Sequence, residues 1–208
     1  MLLRVFEAGP AATNGYLIAD REGGTAAVID APLGTAAAMA RQAQAWNAPI
    51  RLLLTTHAHW DHILDNDAIV QATGAKFGIH GDSAPLLKIP QTRLFGLDLA
   101  MPVIEPDFFL QAGQPVRVGE LCFEVRDCPG HCPGSVVFYE PSQRVVFVGD
   151  VLFAGSIGRT DLPGGDSATL LRSIHEKLLP LADEVRVYAG HGRPTTIGQE
   201  RRTNPFLG

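Results

Sequence analysis

The stretch Ile50-Arg51-Leu52-Leu53-Leu54-Thr55-Thr56-His57-Ala58-His59-Trp60-Asp61-His62 decides how this chain is read. Its first half is a short apolar run stopped from extending backwards by Pro49, the pattern of a buried strand. Four potential metal ligands follow within six residues: His57, His59, Asp61 and His62. Imidazole nitrogen and carboxylate oxygen are the donors that suit zinc and related first-row metals. Along a chain leaving a strand, alternate residues can turn toward one point, so His57 and His59 can share a metal. Asp61 and His62 project differently and can serve a second metal or a bound water. A polar surface loop has no need of three imidazoles and a carboxylate so close together.

Three later segments have the same form, an apolar strand running into a Gly-containing turn that bears a ligand. They are Pro129-Gly130-His131, Val148-Gly149-Asp150 and Ala189-Gly190-His191. One histidine at a strand end is usually a hydrogen-bonded structural residue. Five of the seven histidines in such positions, counting the first cluster, point to a metal centre instead. His80 is expected to be structural, and His175 to lie on the surface of a helix.

Outward from these motifs, the first half reads as strands at Leu2–Glu7, Asn14–Ala19 and Ala26–Asp30, separated by Gly-containing turns. An Ala-rich helix from Thr35, its cap, to Trp46 follows. A helix over Asp65–Thr73, a strand over Lys76–His80 and a helical turn at Gly81–Leu87 come after the ligand cluster. From Lys88 to Ala112 the pattern is irregular, with Pro90, Pro102 and Pro106 among Phe95, Phe108 and Phe109. Long irregular loops in compact domains are commonly functional. The aromatics either close an apolar wall, as a lid over the substrate, or pack into the core. The second half alternates strands at Pro115–Val118, Leu121–Asp127, Ser135–Tyr139 and Val145–Val148. It ends with an amphipathic helix at Ser167–Leu179, a strand at Val185–Ala189 and a closing helix at Thr195–Thr203. Two central sheets with helices outside account for this order.

With 208 residues, 46% of them hydrophobic, the chain suits a single domain, 1–208. The formal charge is −5, and the nearest approach to a basic cluster is Glu200-Arg201-Arg202, so a nucleic-acid partner is not expected. The three cysteines, Cys122, Cys128 and Cys132, do not make a disulfide framework. Cys128 and Cys132 read as small buried thiols beside the site rather than a metal or redox pair. Met1–Phe6 has no basic leader, and no window approaches the ~18 apolar residues of a membrane helix. A cytoplasmic protein without a membrane partner is the expectation; oligomeric state has no signal.

The whole pattern resembles the metallo-β-lactamase superfamily. His57-Ala58-His59-Trp60-Asp61-His62 matches its HxHxDH signature, and PGHCPGS, FVGD and AGHG match its later metal motifs in order. The resemblance implies an α/β four-layer αββα sandwich with two central, mostly antiparallel sheets. It implies two divalent metal ions, zinc foremost with iron or manganese as alternatives. His57, His59 and His131 would hold the first, Asp61, His62 and His191 the second, and Asp150 would bridge them. Two such cations polarise a substrate carbonyl and lower the pKa of a bridging water. Asp61 and Asp150 are the catalytic candidates, Asp61 by orienting the attacking hydroxide.

GSIGRTDLPGGD (155–166) and TTIGQERRTNPFLG (195–208) resemble the short, glyoxalase II-like hydrolases. The implied substrate is a small-molecule S-acyl thioester such as S-lactoylglutathione. The C-terminal helical domain that helps full-length glyoxalase II bind glutathione is not expected here. Arg159 and Asp161 are expected to form a buried ion pair that orders the loop beyond Asp150. Ile63-Leu64-Asp65-Asn66 stands where relatives commonly have Gly-Gly, and Asp127-Cys128-Pro129-Gly130-His131-Cys132 replaces a more usual HTPGHT; neither change removes a ligand. Two other chemistries remain open on this fold. One is a mono-iron persulfide dioxygenase using His57, His131 and Asp150; the other is hydrolysis of lactones, lactams or phosphoesters. A non-catalytic module would be expected to have lost ligands, and none is missing.

Overall fold

The computed structural model describes all 208 residues, Met1–Gly208. The chain divides into two compact units, Met1–Leu110 with Arg117–Leu121, and Gln111–Val116 with Cys122–Gly208.

The first unit is built on a six-stranded sheet in the order β1-β2-β3-β4-β5-β6. Its strands are Leu2–Ala8 (β1), Thr13–Ala19 (β2), Ala26–Ile29 (β3), Ile50–Leu54 (β4), Lys76–His80 (β5) and Phe108–Leu110 (β6). β1, β2 and β3 form an antiparallel meander, whereas β3, β4, β5 and β6 run parallel. Parallel neighbours need crossovers, and helices supply two of them. Ala36–Ala45 (α1) joins β3 to β4; Trp60–Ile63 (α2) and Asn66–Thr73 (α3) join β4 to β5. Met39 and Ala43 of α1 and Ile69 of α3 pack with Val28, Leu53 and Phe77 of the strands in one buried cluster. Truncating a side chain such as the fully buried Phe77 would cost about 3–5 kcal/mol.

Two details of the crossovers differ from the sequence expectation. Thr35 occupies the cap position of α1, but its hydroxyl donates to the Pro32 carbonyl, and the carboxylate of Asp65 accepts the Ala36 N–H at 2.8 Å. The helical turn α2 begins inside the ligand cluster, so Asp61 and His62 stand on a helix rather than a loop.

The 88–112 segment is partly ordered by the sheet. Phe108 and Phe109 belong to β6, paired parallel to β5, and a Cβ at Gly78 would strike the Phe108 ring. These two rings are therefore strand residues, leaving Phe95 as the aromatic of the irregular stretch. Phe95 lies 5.7 Å from Trp60, and Gln91 Nε2 donates to the Ala58 carbonyl at 2.7 Å.

The second unit carries a sheet in the order β14-β13-β10-β9-β8-β7. Its strands are Leu121–Asp127 (β8), Val136–Glu140 (β9), Val145–Gly149 (β10), Arg186–Ala189 (β13) and Thr195–Thr196 (β14), while the edge strand Val116–Val118 (β7) falls mostly among the residues of the first unit. A separate hairpin, Leu152–Phe153 (β11) with Ser156–Ile157 (β12), follows β10 directly. β10 pairs antiparallel with β9 and parallel with β13. Ser167–Ser173 (α4) continues into a π-helical turn, Ile174–Leu178, and Ile197–Thr203 (α5) closes the chain. Asp166 caps α4 by accepting from the Thr169 N–H, and Thr196 caps α5 by accepting from the Gln199 N–H. Leu170, Ile174, Leu178 and Ile197 from these helices pack with Val146, Val148 and Val187 of the sheet. No helix is long and apolar enough to cross a membrane.

Candidate metal centre

Each unit gathers part of the predicted ligand set near the carboxyl ends of two adjacent parallel strands, with His131 supplied by the segment between β8 and β9. In the first unit these strands are β3, which runs into Asp30, and β4, which runs through Thr55 and Thr56 into His57. The His57 ring centroid is 4.7 Å from that of His59 and 4.2 Å from that of His62. Donor atoms of His57 and His59, of His57 and His62, and of Asp61 and His62 approach within 4.8 Å of each other. The four residues of the HxHxDH stretch are thus brought together.

The orientation of these rings is set by a residue outside the predicted set, Asp30. Its carboxylate is 1% exposed and accepts from the Thr56 N–H, the Thr56 hydroxyl and His62 Nδ1, each at 2.8 Å. A carboxylate only accepts, so His62 carries its proton on Nδ1 and presents a lone pair at Nε2. The Thr56 hydroxyl, having given its single proton to Asp30, accepts from His57 Nδ1 at 3.0 Å. His57 therefore also presents Nε2 as its ligand atom. Asp30 adopts φ +57°, a left-handed conformation that Asp tolerates better than most residues. The run Ala26–Asp30 held this residue in plain view, but the sequence carried no sign that a carboxylate at a strand end would reach two histidines. Thr13 is a second such residue: its hydroxyl donates to Asp61 Oδ2 at 2.7 Å.

In the second unit β10 and β13 end side by side. Gly149 pairs with Ala189 after a register shift, and the Gly190 N–H donates to the Gly149 carbonyl at 2.8 Å. Asp150 directly follows β10, and His191 stands two residues beyond β13. Nε2 of His191 is 3.4 Å, and Nε2 of His131 3.6 Å, from the same oxygen, Asp150 Oδ2. His131 Nδ1 donates to the main-chain carbonyl of Arg159 at 2.8 Å, which again fixes the proton on Nδ1. The turn before His131 needs glycine, because Gly130 has φ +126° and a Cβ there would run into the backbone of Leu170.

Donor chemistry in both units fits divalent cations. Three buried imidazoles, His57, His62 and His131, each have Nδ1 held by an acceptor, the arrangement that orients a histidine ligand and raises its basicity. Nε2 of His131 and Asp150 Oδ2 then face each other as two acceptors, as do Nε2 of His62 and Asp61 Oδ2 at 3.4 Å. A cation seated between such pairs turns repulsion into coordination.

The remaining motif residues fall outside this set. Arg159 and Asp161 do pair, through two bonds of 2.7 and 2.8 Å, but their side chains are 54% and 67% exposed. The pair is a surface feature; the main-chain carbonyl of Arg159 makes the contact to His131. The hydrogen bond from Arg159, aided by the Asp161 backbone N–H, draws the Asp161 carboxyl down to about 2. His175 is exposed on the π-helical turn, and His80 Nδ1 accepts from the Asp82 N–H. Cys128 is fully buried, and burial pushes its thiol up to about 12, an unreactive state.

Comparison with known proteins bears on this geometry. Residues 8–191 match the metallo-beta-lactamase superfamily. A relative from Haemophilus influenzae named hydroxyacylglutathione hydrolase GloC is 41% identical over 185 residues, 88% of this chain and 87% of that protein. The crystal structure of BLEG-1 B3 metallo-beta-lactamase superposes with a TM-score of 0.91 at 38% identity, covering 99% of each chain. The protein TTHA1623, solved in a di-iron-bound form, gives a TM-score of 0.86 at 37% identity, covering 98% of this chain and all of that one. Two mixed sheets flanked by helices, clustered His and Asp side chains near the carboxyl ends of parallel strands, and a match over most of the sequence make this chain a member of the metallo-beta-lactamase superfamily, with that superfamily's fold.

Proposed function

We propose that the two half-sites form one centre in a single catalytic domain, that this centre holds two divalent metal ions, and that the enzyme hydrolyses small S-acyl thioesters. His57, His59 and His131 would hold one ion, Asp61, His62 and His191 the other, and Asp150 both. The observation that carries the reading is the meeting of two imidazole Nε2 atoms on one carboxylate oxygen, Asp150 Oδ2. The thioester is supported by the name of the Haemophilus influenzae relative and by the GRTD and TTIGQER segments. Zinc suits this histidine-rich donor set, and iron suits it as well, as the di-iron relative illustrates.

Bound ions at such a centre supply a Lewis acid for the acyl carbonyl and a water acidic enough to be deprotonated near neutral pH. The chain's own residues do the rest. Asp61, oriented by Thr13, aligns the attacking oxygen and accepts its proton. Asp30 and Thr56 hold His57 and His62 in the tautomer that keeps Nε2 toward the centre. A thiolate is a good leaving group, so no strong general acid is required. The Arg201-Arg202 pair is engaged by Asp183, which leaves no basic cluster there for nucleic acid. The buried thiols Cys128 and Cys132, neither in a disulfide, fit a reducing compartment such as the cytoplasm.

Metal quantification followed by a substrate panel tests the proposal. About two metal ions per chain and cleavage of S-lactoylglutathione or another small thioester is the expected result. A single iron with oxygen uptake on glutathione persulfide would replace it with a dioxygenase. Two metals with turnover only of lactams, lactones or phosphoesters would overturn the thioester assignment.

A further inference from the structure

The segment Thr195–Asn204 supplies none of the proposed ligands, yet it contains a buried carboxylate that accepts three hydrogen bonds. Glu200 is 1% exposed. Its Oε2 accepts from the Gly155 N–H and from Asn204 Nδ2, both at 2.8 Å, and its Oε1 accepts from the Thr195 hydroxyl at 2.6 Å. Asn204 Nδ2 also donates to the Ser156 carbonyl at 2.9 Å. The three neutral donors come from the hairpin that follows Asp150, the strand that follows His191, and the end of α5.

We infer that Glu200 is a positioning residue for the Asp150–His191 pair. The argument rests on connectivity. Gly155 and Ser156 form the tip of the β11–β12 hairpin, whose first strand starts two residues after Asp150. Thr195 opens β14, four residues after His191, and pairs with Val187 of β13. Glu200 ties the hairpin tip to Thr195 and so closes, from behind, the two loops that leave the ligand-bearing strands. The same hairpin carries Phe153, whose ring meets the His191 ring edge-on at 6.1 Å, and its far end returns so that the Gly158 N–H donates to the Val151 carbonyl. A Cβ at Gly158 would strike the Asp150 carbonyl, so the returning strand lies directly on the ligand. Holding both loops with one side chain sets where Asp150 and His191 stand relative to each other; the β10–β13 ladder alone ends one residue before Asp150 and two before His191.

This inference rests on the reading of Asp150 and His191 as metal ligands, and the test separates the two. Metal-free protein is titrated with zinc against a chromophoric chelator, with circular dichroism as the check on folding. Two zinc ions in the wild type uphold the ligand reading; none would overturn it and the inference with it. Glu200→Ala and Thr195→Val are expected to weaken the zinc ion that would be held by both Asp150 and His191 by about 10–100-fold, the usual effect of losing an outer partner, and the ion that shares only Asp150 by clearly less. Glu200→Gln keeps a carbonyl for Gly155 and Asn204 and an amide for a rotated Thr195 hydroxyl, so it is expected to restore near wild-type affinity. A general loss of stability would not be selective for one ion. Thr195→Val keeps the result decisive if Glu200→Ala does not fold. Wild-type affinity for both ions in folded Glu200→Ala or Thr195→Val, or equal weakening of both ions, would overturn the positioning role.

Discussion

Replacing Asp30 with asparagine isolates the chemistry of the residue that orients two proposed ligands, His62 directly and His57 through Thr56. Asparagine tolerates the left-handed conformation at φ +57°, so the backbone is undisturbed, and the side-chain volume is unchanged. What changes is one acceptor. Asp30 offers oxygens to the Thr56 N–H on one side and to the Thr56 hydroxyl and His62 Nδ1 on the other. With its carbonyl toward the Thr56 N–H, the new side chain would point an amide donor at His62 Nδ1–H; flipped, it would point the donor at the Thr56 N–H. Either way a buried donor faces a donor, at a cost of about 1–3 kcal/mol. The first arrangement can be relieved by moving the His62 proton to Nε2, which removes the lone pair that a metal needs. A lost outer partner lowers metal affinity by about 10–100-fold, equivalent to about 1.4–2.7 kcal/mol. Urea unfolding of metal-free protein reads the first quantity, and chelator competition with zinc the second. Both should move. An Asp30→Asn protein with wild-type zinc affinity would refute the reasoning, because the tautomer of His62 would then not depend on this carboxylate.

Other consequences follow from the same structure. Gly130→Ala combines a forbidden φ with a collision at Leu170, so it should lose at least about 2 kcal/mol in urea unfolding; unchanged stability would mean that the turn before His131 is not tight. The Asp161 carboxyl, observed by NMR, should titrate near 2 and return toward 3.8 in Arg159→Ala. Because its pKa is depressed in the folded state, the pair contributes stability above about pH 4 and loses it as pH falls through about 2; titration at the same pH in both proteins would contradict this. In native protein at pH 8, an alkylating reagent should modify half-buried Cys122 well before Cys128, whose thiol lies near 12, and unfolding should expose all three. Early labelling of Cys128 would show that its burial is not maintained.

The clustering of candidate donors was legible in the sequence because a strand ending in Gly and then a donor is a local pattern, and His131, Asp150 and His191 repeat it. The antiparallel succession after Leu121 was legible from its turns, whereas the parallel pairing of β3, β4, β5 and β6 was not anticipated. What escaped was contact between distant segments. Asp30 reaches His62 across 32 residues, and Asp65 caps α1 across 29, displacing Thr35 from the cap that its position predicts. Phe108 and Phe109 were read as part of an irregular segment because the three strand residues of β6 carry too little periodicity to be seen. The ion pair of Arg159 was anticipated, but its exposure was not, since charge and spacing say nothing about which side of a loop faces water.

The contact between His131 and the carbonyl of Arg159 has a consequence for how this protein would respond to mutational scanning. Every amino acid brings the same carbonyl, so no exchange of the side chain at 159 deletes that bond, and a scan would score the position as permissive. The constraint falls on the length and path of the chain between Asp150 and α4. One inserted or deleted residue there would do what no substitution can, and a tolerant column beside an intolerant gap is the mutational signature of a ligand steered by backbone.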